Sequence, residues 1–260
     1  MLLKNIMHQE EKNLPKISII TVVKNGEKHI SENLKSVSSQ TYQNFEHIII
    51  NGDSIDNTKK ILLQNKSDHL RIVSEPDNGL YDAMNKGIKH ATGEIIGILN
   101  SDDYFYQGAF SIVAKYFSEY PTIDYLYGSV FKHKVLHGFY PYKIYWTFGF
   151  YTSHSVGFFI RKKSQDLLGL YNTKYKYSAD YDLFYRMIVQ HKMKGMATKK
   201  KEVLGFFRPG GLSDKIKYID YLNENTKIRL DNKQNFLIVM LIHFLRYIKR
   251  WMLIKKQSQE

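Results

Sequence analysis

Four short apolar runs crowd the first hundred residues, and each ends abruptly on a polar turn. ISIITVV (17–23) meets Lys24-Asn25-Gly26, and the run from Phe45 to Ile50 meets Asn51-Gly52-Asp53. Leu70 to Val73 runs into a Pro-Asp-Asn-Gly loop, and IIGIL (95–99) into Asn100-Ser101-Asp102-Asp103. Between them, helical spacing is set by Ile30, Leu34 and Val37, by Ile61 and Leu62 behind an expected N-cap at Asp56, and by Leu80, Met84 and Ile88. β-Branched runs alternating with helices of this length predict a doubly wound, mostly parallel α/β sheet. In such sheets ligands bind outside the carboxyl ends of the strands. The polar turns therefore mark the expected site.

The second half is less regular. Tyr, Phe and Trp crowd residues 125–159, with strands expected at 124–131 and 155–160. A helix is expected after Asp180, a returning strand over 195–207, and helices over 214–232 and 236–256. At 260 residues and 43% hydrophobic, the chain can bury one large domain. It divides into an N-terminal extension (1–15), a catalytic domain (16–213) and C-terminal helices (214–260). With no cysteine, neither a disulfide framework nor a thiolate metal site is available. The N-terminus mixes acids and bases before any long apolar run, so a secretory signal is not expected and the setting is cytoplasmic. A net charge of +13 calls for an anionic partner, such as nucleic acid, an acidic membrane or a phosphorylated substrate.

Five motifs carry possible chemistry. In ILNSDDYF (98–105), two adjacent carboxylates follow a buried strand, which suits a hard cation shared with phosphate oxygens. Capping of the helix near 108 is the plain alternative for Asp102 or Asp103. In EPDNGLYDAMNKGI (75–88), a glycine loop containing Asp77 opens a helix whose N-terminus favours an anion. Asp82 and Asn85 share a face of that helix, and Lys86 is adjacent. SADYDLFYR (178–186) places Asp180 and Asp182 at a helix start, where Asp180 either caps or acts as a base and Asp182 pairs with Arg186. His154 is one of ten histidines, and FFRPGGLS (206–213) sets Arg208 beside a Gly-Gly turn. Neither a Walker A loop nor GxGxxG occurs, which argues against P-loop ATPases and dinucleotide binders.

Taken in order, these segments resemble the nucleotide-sugar glycosyltransferases of family 2, which have the GT-A fold. The resemblance covers about residues 16–213 and is closest to bacterial enzymes of O-antigen and other surface-polysaccharide assembly. It implies that Thr21 and Val23 line a nucleotide pocket, together with Asp53 from IIINGDSIDNT. It places Asp77, Asp82, Asn85, Lys86 and Ser101 at the donor. Asp102 would hold Mg²⁺ or Mn²⁺ on the diphosphate, with Asp103 near the metal, and Asp180 would be the general base. His154 matches a histidine often present in this subgroup. Two positions depart: Asn51 stands where an Asp often bonds the base, and Asn100 replaces the first acid of the acidic triplet.

The expected reaction is an inverting transfer from a nucleoside-diphosphate sugar, a UDP-sugar foremost, with Asp180 taking the acceptor's proton and Lys86 or Arg208 adding positive charge. On a helical wheel His243, Arg246, Lys249 and Arg250 share one face of the last helix, opposite Leu237, Leu241, Phe244, Ile248 and Trp251. Charges interrupt that run short of the ~20 apolar residues of a membrane span. Such a helix lies in an anionic headgroup region, packs on the catalytic domain or pairs subunits. The first suits an acceptor carried on a lipid diphosphate such as undecaprenyl diphosphate, with an oligosaccharide acceptor as the alternative. Acceptor sugars or lipid are also expected against the aromatic tract 139–151. Nucleic-acid binding explains the charge but gives no reason for carboxylates at strand ends, so no nucleic-acid partner is expected. An inactive membrane scaffold of the same fold is the alternative that Asn51 and Asn100 leave open.

Overall fold

The computed structural model describes residues 14–146, 151–211 and 216–257. The N-terminal extension before Leu14, part of the aromatic tract and the end of FFRPGGLS lie outside them. The four apolar runs form β1 (Ile17–Val23), β2 (Phe45–Asn51), β3 (Leu70–Ser74) and β4 (Ile95–Ile98). The intervening helices are α1 (Ile30–Ser38), α2 (Thr58–Gln64) and α3 (Leu80–His90). Adjacent strands among the four pair in parallel, in the order β3-β2-β1-β4. Side chains alternate across the sheet. Ile20, Val22, Ile48 and Ile50 face the core under α3, whereas Val23 and Ile49 meet Ile30 and Leu34 of α1.

The turns after β1 and β2 each need a left-handed residue. Asn25 (φ 54°) and Asp53 (φ 50°) fill those positions, as short polar side chains tolerate. The α2 cap sits one residue later than expected, with Asn57 at the boundary. Even so, the Asp56 carboxylate accepts the Thr58 N–H at 3.0 Å, and a cap's chemistry is kept.

Downstream come β5 (Tyr104–Phe105), α4 (Ala109–Glu119), β6 (Tyr125–Tyr127), β7 (Ser129–Phe131) and β8 (Val135–Leu136). β9 (Phe158–Arg161), α5 (Lys162–Leu168), α6 (Ala179–Tyr185), β10 (Gly195–Ala197) and β11 (Val203–Phe206) follow. β9 inserts antiparallel between β4 and β6, and β10 closes the seven-stranded sheet. Gly97 makes room for this insertion, because a Cβ there would strike the Phe159 ring. The strand expected over 124–131 breaks at Gly128 and serves two sheets: β6 stays in the large one, and β7 joins β5, β11 and β8 in a small one. The return over 195–207 likewise divides, into β10 and β11. The two C-terminal helices are α7 (Tyr218–Asp231) and α8 (Phe236–Gln257). α7 belongs to the core rather than to an appendage, since Leu222, Ile228 and Arg229 are buried.

Candidate active site

The acidic motif leaves β4 and is gripped from the side by α1. Asn33 Nδ2 donates to the carbonyls of Asn100 (2.9 Å) and Asp103 (3.0 Å). The Phe105 N–H donates to Ser36 Oγ, and Gln40 spans the Tyr106 carbonyl and the Phe110 N–H. A spacing of three puts Asn33 and Ser36 on one helix face, and Gln40 follows just past the helix end. Behind them Thr21 Oγ1 lies 2.9 Å from His47 Nε2 and 3.4 Å from Asn33 Oδ1. Burial pushes the His47 imidazole down to about 3, so it is neutral. Thr21 therefore belongs to a buried polar cluster and Val23 to the core, not to the nucleotide pocket where both were expected. The reason is strand parity: positions 21 and 23 face α1.

Within the motif the two carboxylates differ. Asp102 is half-buried beside Gly211, which has room for no more than a close contact with Oδ2. Asp103 is 1% exposed, and its Oδ1 accepts the Arg208 N–H at 2.7 Å. Burial raises its carboxyl to about 7, against the pull of that N–H. Neither residue caps α4, which starts behind Gly108. Asp103 Oδ2 and Asn100 Oδ1 are buried without hydrogen-bond partners. Oxygen atoms such as these and those of Asp102 are the ligand type that Mg²⁺ and Mn²⁺ favour, alongside phosphate and water. Among the described residues no three His, Cys, Asp or Glu converge as a closed metal cage.

Arg208 is tied down. Its Nε donates to the Asp102 carbonyl (2.9 Å), and its other end pairs with Glu32 of α1. Lys86 is likewise held, by Glu75 (3.5 Å), Asp82 (3.4 Å) and the Pro76 carbonyl. Both cations brace loops instead of pointing free charge at a donor. Asp82 accepts the Asn78 N–H, and Asp77 accepts the Gly79 N–H while lying over Gly52. Asn85, expected to face the donor, is buried, and its amide exchanges two 2.9 Å bonds with the Tyr171 backbone. Asn51, expected at the base, is fully buried: it accepts from Ser54 and donates to Ser74, stapling β2 to β3. Asp53 is half-exposed beside Lys59, and Ser101 faces Gly26.

Asp180 sits in the first turn of α6. Its Oδ1 accepts from Tyr81 (3.1 Å) and its Oδ2 from Tyr151 (3.2 Å). Burial raises both phenols well above 10, so they remain donors to the carboxylate. Asp180 does not cap in the expected way; the approach to α6 is held from outside, by Glu224 of α7. That carboxylate accepts the N–H groups of Lys176, Tyr177 and Ser178 at 2.6–2.7 Å. Asp182 pairs with Arg186 at 3.0 Å, as the spacing suggests.

Tyr81 and Tyr151 also wall an open cleft of about 270 Å³ with Asn100, His154, Lys132 and Phe207. His154 Nε2 lies 2.6 Å from the Tyr171 hydroxyl, and burial lowers its basicity although Asp180 opposes this. Lys132 brings a cation over the Phe207 ring. The cleft thus joins the acidic motif, through Asn100, to the Asp180 end. Tyr81, Tyr151, Lys132 and Glu224 escape sequence reasoning. Only Tyr81 and Tyr151 lay inside segments already singled out, and no spacing marks them.

This arrangement, an acidic loop after the fourth strand facing a carboxylate at a helix start, is that of a sugar-transferring GT-A enzyme. Residues 18–178 match the family described as Glycosyl transferase family 2, and the chain belongs to that family of enzymes. A PGL/p-HBAD biosynthesis glycosyltransferase of Mycobacterium bovis (strain BCG) is 26% identical over 251 residues, 91% of each chain. An uncharacterised glycosyltransferase of Mycobacterium tuberculosis is 40% identical over 92 residues, and the match spans about a third (35%) of either chain. Among solved structures, a mannosyltransferase from Pyrobaculum calidifontis in complex with GDP-Man and Mn²⁺ shares the fold at TM-score 0.66 and 16% identity, over 99% of this chain and 80% of that one. S. aureus TarS 1–349 in complex with UDP-GlcNAc does so at 0.64 and 16%, over 88% and 70%.

Proposed function

We propose that the chain is an inverting glycosyltransferase. It moves a sugar from a nucleoside-diphosphate sugar, a UDP-sugar foremost, to a hydroxyl of a lipid-linked or oligosaccharide acceptor in cell-surface polysaccharide assembly. The observation that carries this reading is Asp180, held by two tyrosine hydroxyls that also wall the cleft reaching Asn100. One relative is named for PGL/p-HBAD biosynthesis and one structural neighbour is in complex with UDP-GlcNAc, which supports the donor class.

Asp102, with the orphaned oxygens of Asn100 and Asp103, would hold Mg²⁺ or Mn²⁺; when bound, the cation neutralises charge growing on the leaving diphosphate. Lys132 adds positive charge from the opposite wall. Asp180 accepts the acceptor hydroxyl's proton as its oxygen attacks the anomeric carbon. Oδ1 of Asp180 is filled by the Tyr81 hydroxyl and the Tyr181 N–H, so the proton goes to Oδ2, where Tyr151 occupies a single lone pair. A single displacement of this kind inverts the anomeric centre and requires no enzyme nucleophile. A lipid-carried acceptor places the enzyme at the inner face of the cytoplasmic membrane; among the described residues no helix is long and apolar enough to cross it.

The test is thermal unfolding with UDP, GDP, CDP and dTDP, each with and without Mn²⁺, followed by assay of nucleotide release from the matching sugar donor. A ligand selective for the folded state raises its stability by mass action. UDP stabilising only with Mn²⁺, and slow release of UDP from a UDP-sugar, is the expected result. Nucleotide binding without turnover on any acceptor would instead favour an inactive scaffold.

A further inference from the structure

The side of α8 that meets the protein mixes polar and apolar groups: His243 Nδ1 lies 2.8 Å from Thr226 Oγ1 of α7, and the exposed Arg250 guanidinium sits 5.9 Å from the Tyr218 ring. Tyr221, on α7, feels both Asp180 and Arg246, so this face looks toward the catalytic end of the cleft. Gln257 Oε1 accepts the Tyr218 N–H, and Val239 and Ile254 are buried along the same seam. The opposite face carries Leu237 (74% exposed), Leu241, Phe244, Leu245, Ile248 and Met252 (80% exposed). At i, i+4, i+7, i+8, i+11 and i+15 these fall on one stripe. A stripe of this kind on a helix already docked by its other side marks a surface made to be covered.

We propose that this stripe docks in the headgroup region of an anionic lipid bilayer. Charge selects that occupant. From Phe236 to Gln257 there are five Lys or Arg residues and no acid, and Lys249, Lys255 and Lys256 are exposed at the stripe's border and end. Lys255 Nζ stands 5.5 Å from the ring of Trp251, a pairing of cation and indole suited to the interface between water and acyl chain. A second copy on the same stripe would bring together two chains of +13 each, with lysines along both borders. The chain's own core is excluded, because the side of α8 that meets it is in use. The docking rests on the proposed lipid-carried acceptor for what it serves.

The test uses the full chain with Trp146→Phe, which leaves Trp251 as the sole tryptophan. It is mixed with vesicles of phosphatidylglycerol and phosphatidylcholine in equal parts, or of phosphatidylcholine alone. Co-sedimentation should be about tenfold greater on the anionic vesicles and should weaken with salt, and Trp251 emission should shift to the blue. The double variant Phe244→Ser/Ile248→Ser should lose about tenfold in vesicle binding with its melting temperature and its UDP–Mn²⁺ stabilisation unchanged. Unchanged vesicle binding in that variant overturns the proposal. So does a dimer in sedimentation velocity that the same substitutions dissociate while vesicles fail to bind the parent chain. Vesicle binding that persists in a chain showing no nucleotide stabilisation would leave the docking standing and sink the catalytic reading alone.

Discussion

The two ends of the cleft are braced in different ways. At the acidic end, Asn33 and Ser36 of α1, and Gln40 just past it, reach the backbone of residues 100–110, and Arg208 adds a brace from later in the chain at Asp102 and Asp103. At the Asp180 end the brace is Glu224, borrowed from the C-terminal helix α7, while Tyr81 and Tyr151 grip the carboxylate itself. One end fixes backbone chiefly by neutral side-chain amides and a hydroxyl, beside the Arg208 guanidinium. The other fixes it by a charge, and its own functional group is held by phenols in a low-dielectric wall. On the proposed reading, donor binding and proton transfer then draw on largely different supports, and each should be separable by mutation.

The largest separation is expected for Asp180→Asn, which should lower transfer by roughly 10²–10⁴ or more while UDP–Mn²⁺ stabilisation stays near that of the parent. Transfer at the normal rate would remove Asp180 from the chemistry. Asp102→Ala should do the reverse, abolishing the Mn²⁺-dependent part of the UDP-induced melting shift; an unchanged shift would place the cation elsewhere.

Next come the braces. Glu224→Ala removes a carboxylate from three N–H groups and should cost about 2 kcal/mol of stability, by the usual worth of charged hydrogen bonds. Its kcat should fall about tenfold with little change in nucleotide affinity, and Glu224→Gln should recover part of both. Asn33→Ala should cost a similar amount, since two buried carbonyls lose their donor, but should weaken nucleotide binding first. If Glu224→Ala weakened nucleotide binding as much as Asn33→Ala, the two ends would not be independent.

The smallest effect concerns pH. The folded pKa of His47 lies below its unfolded value of 6.5, near 3, so the unfolded chain takes up a proton that the native chain refuses. This contribution to stability is complete above pH 6.5 and falls by about 1.4 kcal/mol per pH unit as pH drops toward 3. Denaturant titrations from pH 7 to 5 should show a shallower loss in His47→Gln than in the parent. Equal slopes would mean that the imidazole is not buried neutral.

The strands and turns of the first half are legible because β-branched runs and left-handed polar turns are local signals. Asp102 and Asp180 stand out for a related reason, as carboxylates at a strand end and a helix start, where burial is costly, and the roles given to them are those of the proposal. Side-chain direction was harder. Thr21 and Val23 sit in the expected strand, but one step of parity turns them toward α1. Asn85 is spoken for by the Tyr171 backbone, 86 residues away, and no local pattern announces such a partner. Tyr81 and Tyr151 are two among 20 tyrosines, so composition hides them. On α8 the wheel separated charged from apolar residues correctly. It does not tell which side the fold presses inward, and here that side mixes polar and apolar groups.

The Glu224 brace also orders events in time. Chains emerge from the ribosome N-terminus first, and domains begin to fold as they appear. The acidic loop finds all of its α1 supports already made when it emerges. Ser178, by contrast, must wait 46 residues for the carboxylate that anchors it. A nascent chain would thus complete the α1 brace of the acidic loop well before the brace that holds the approach to α6.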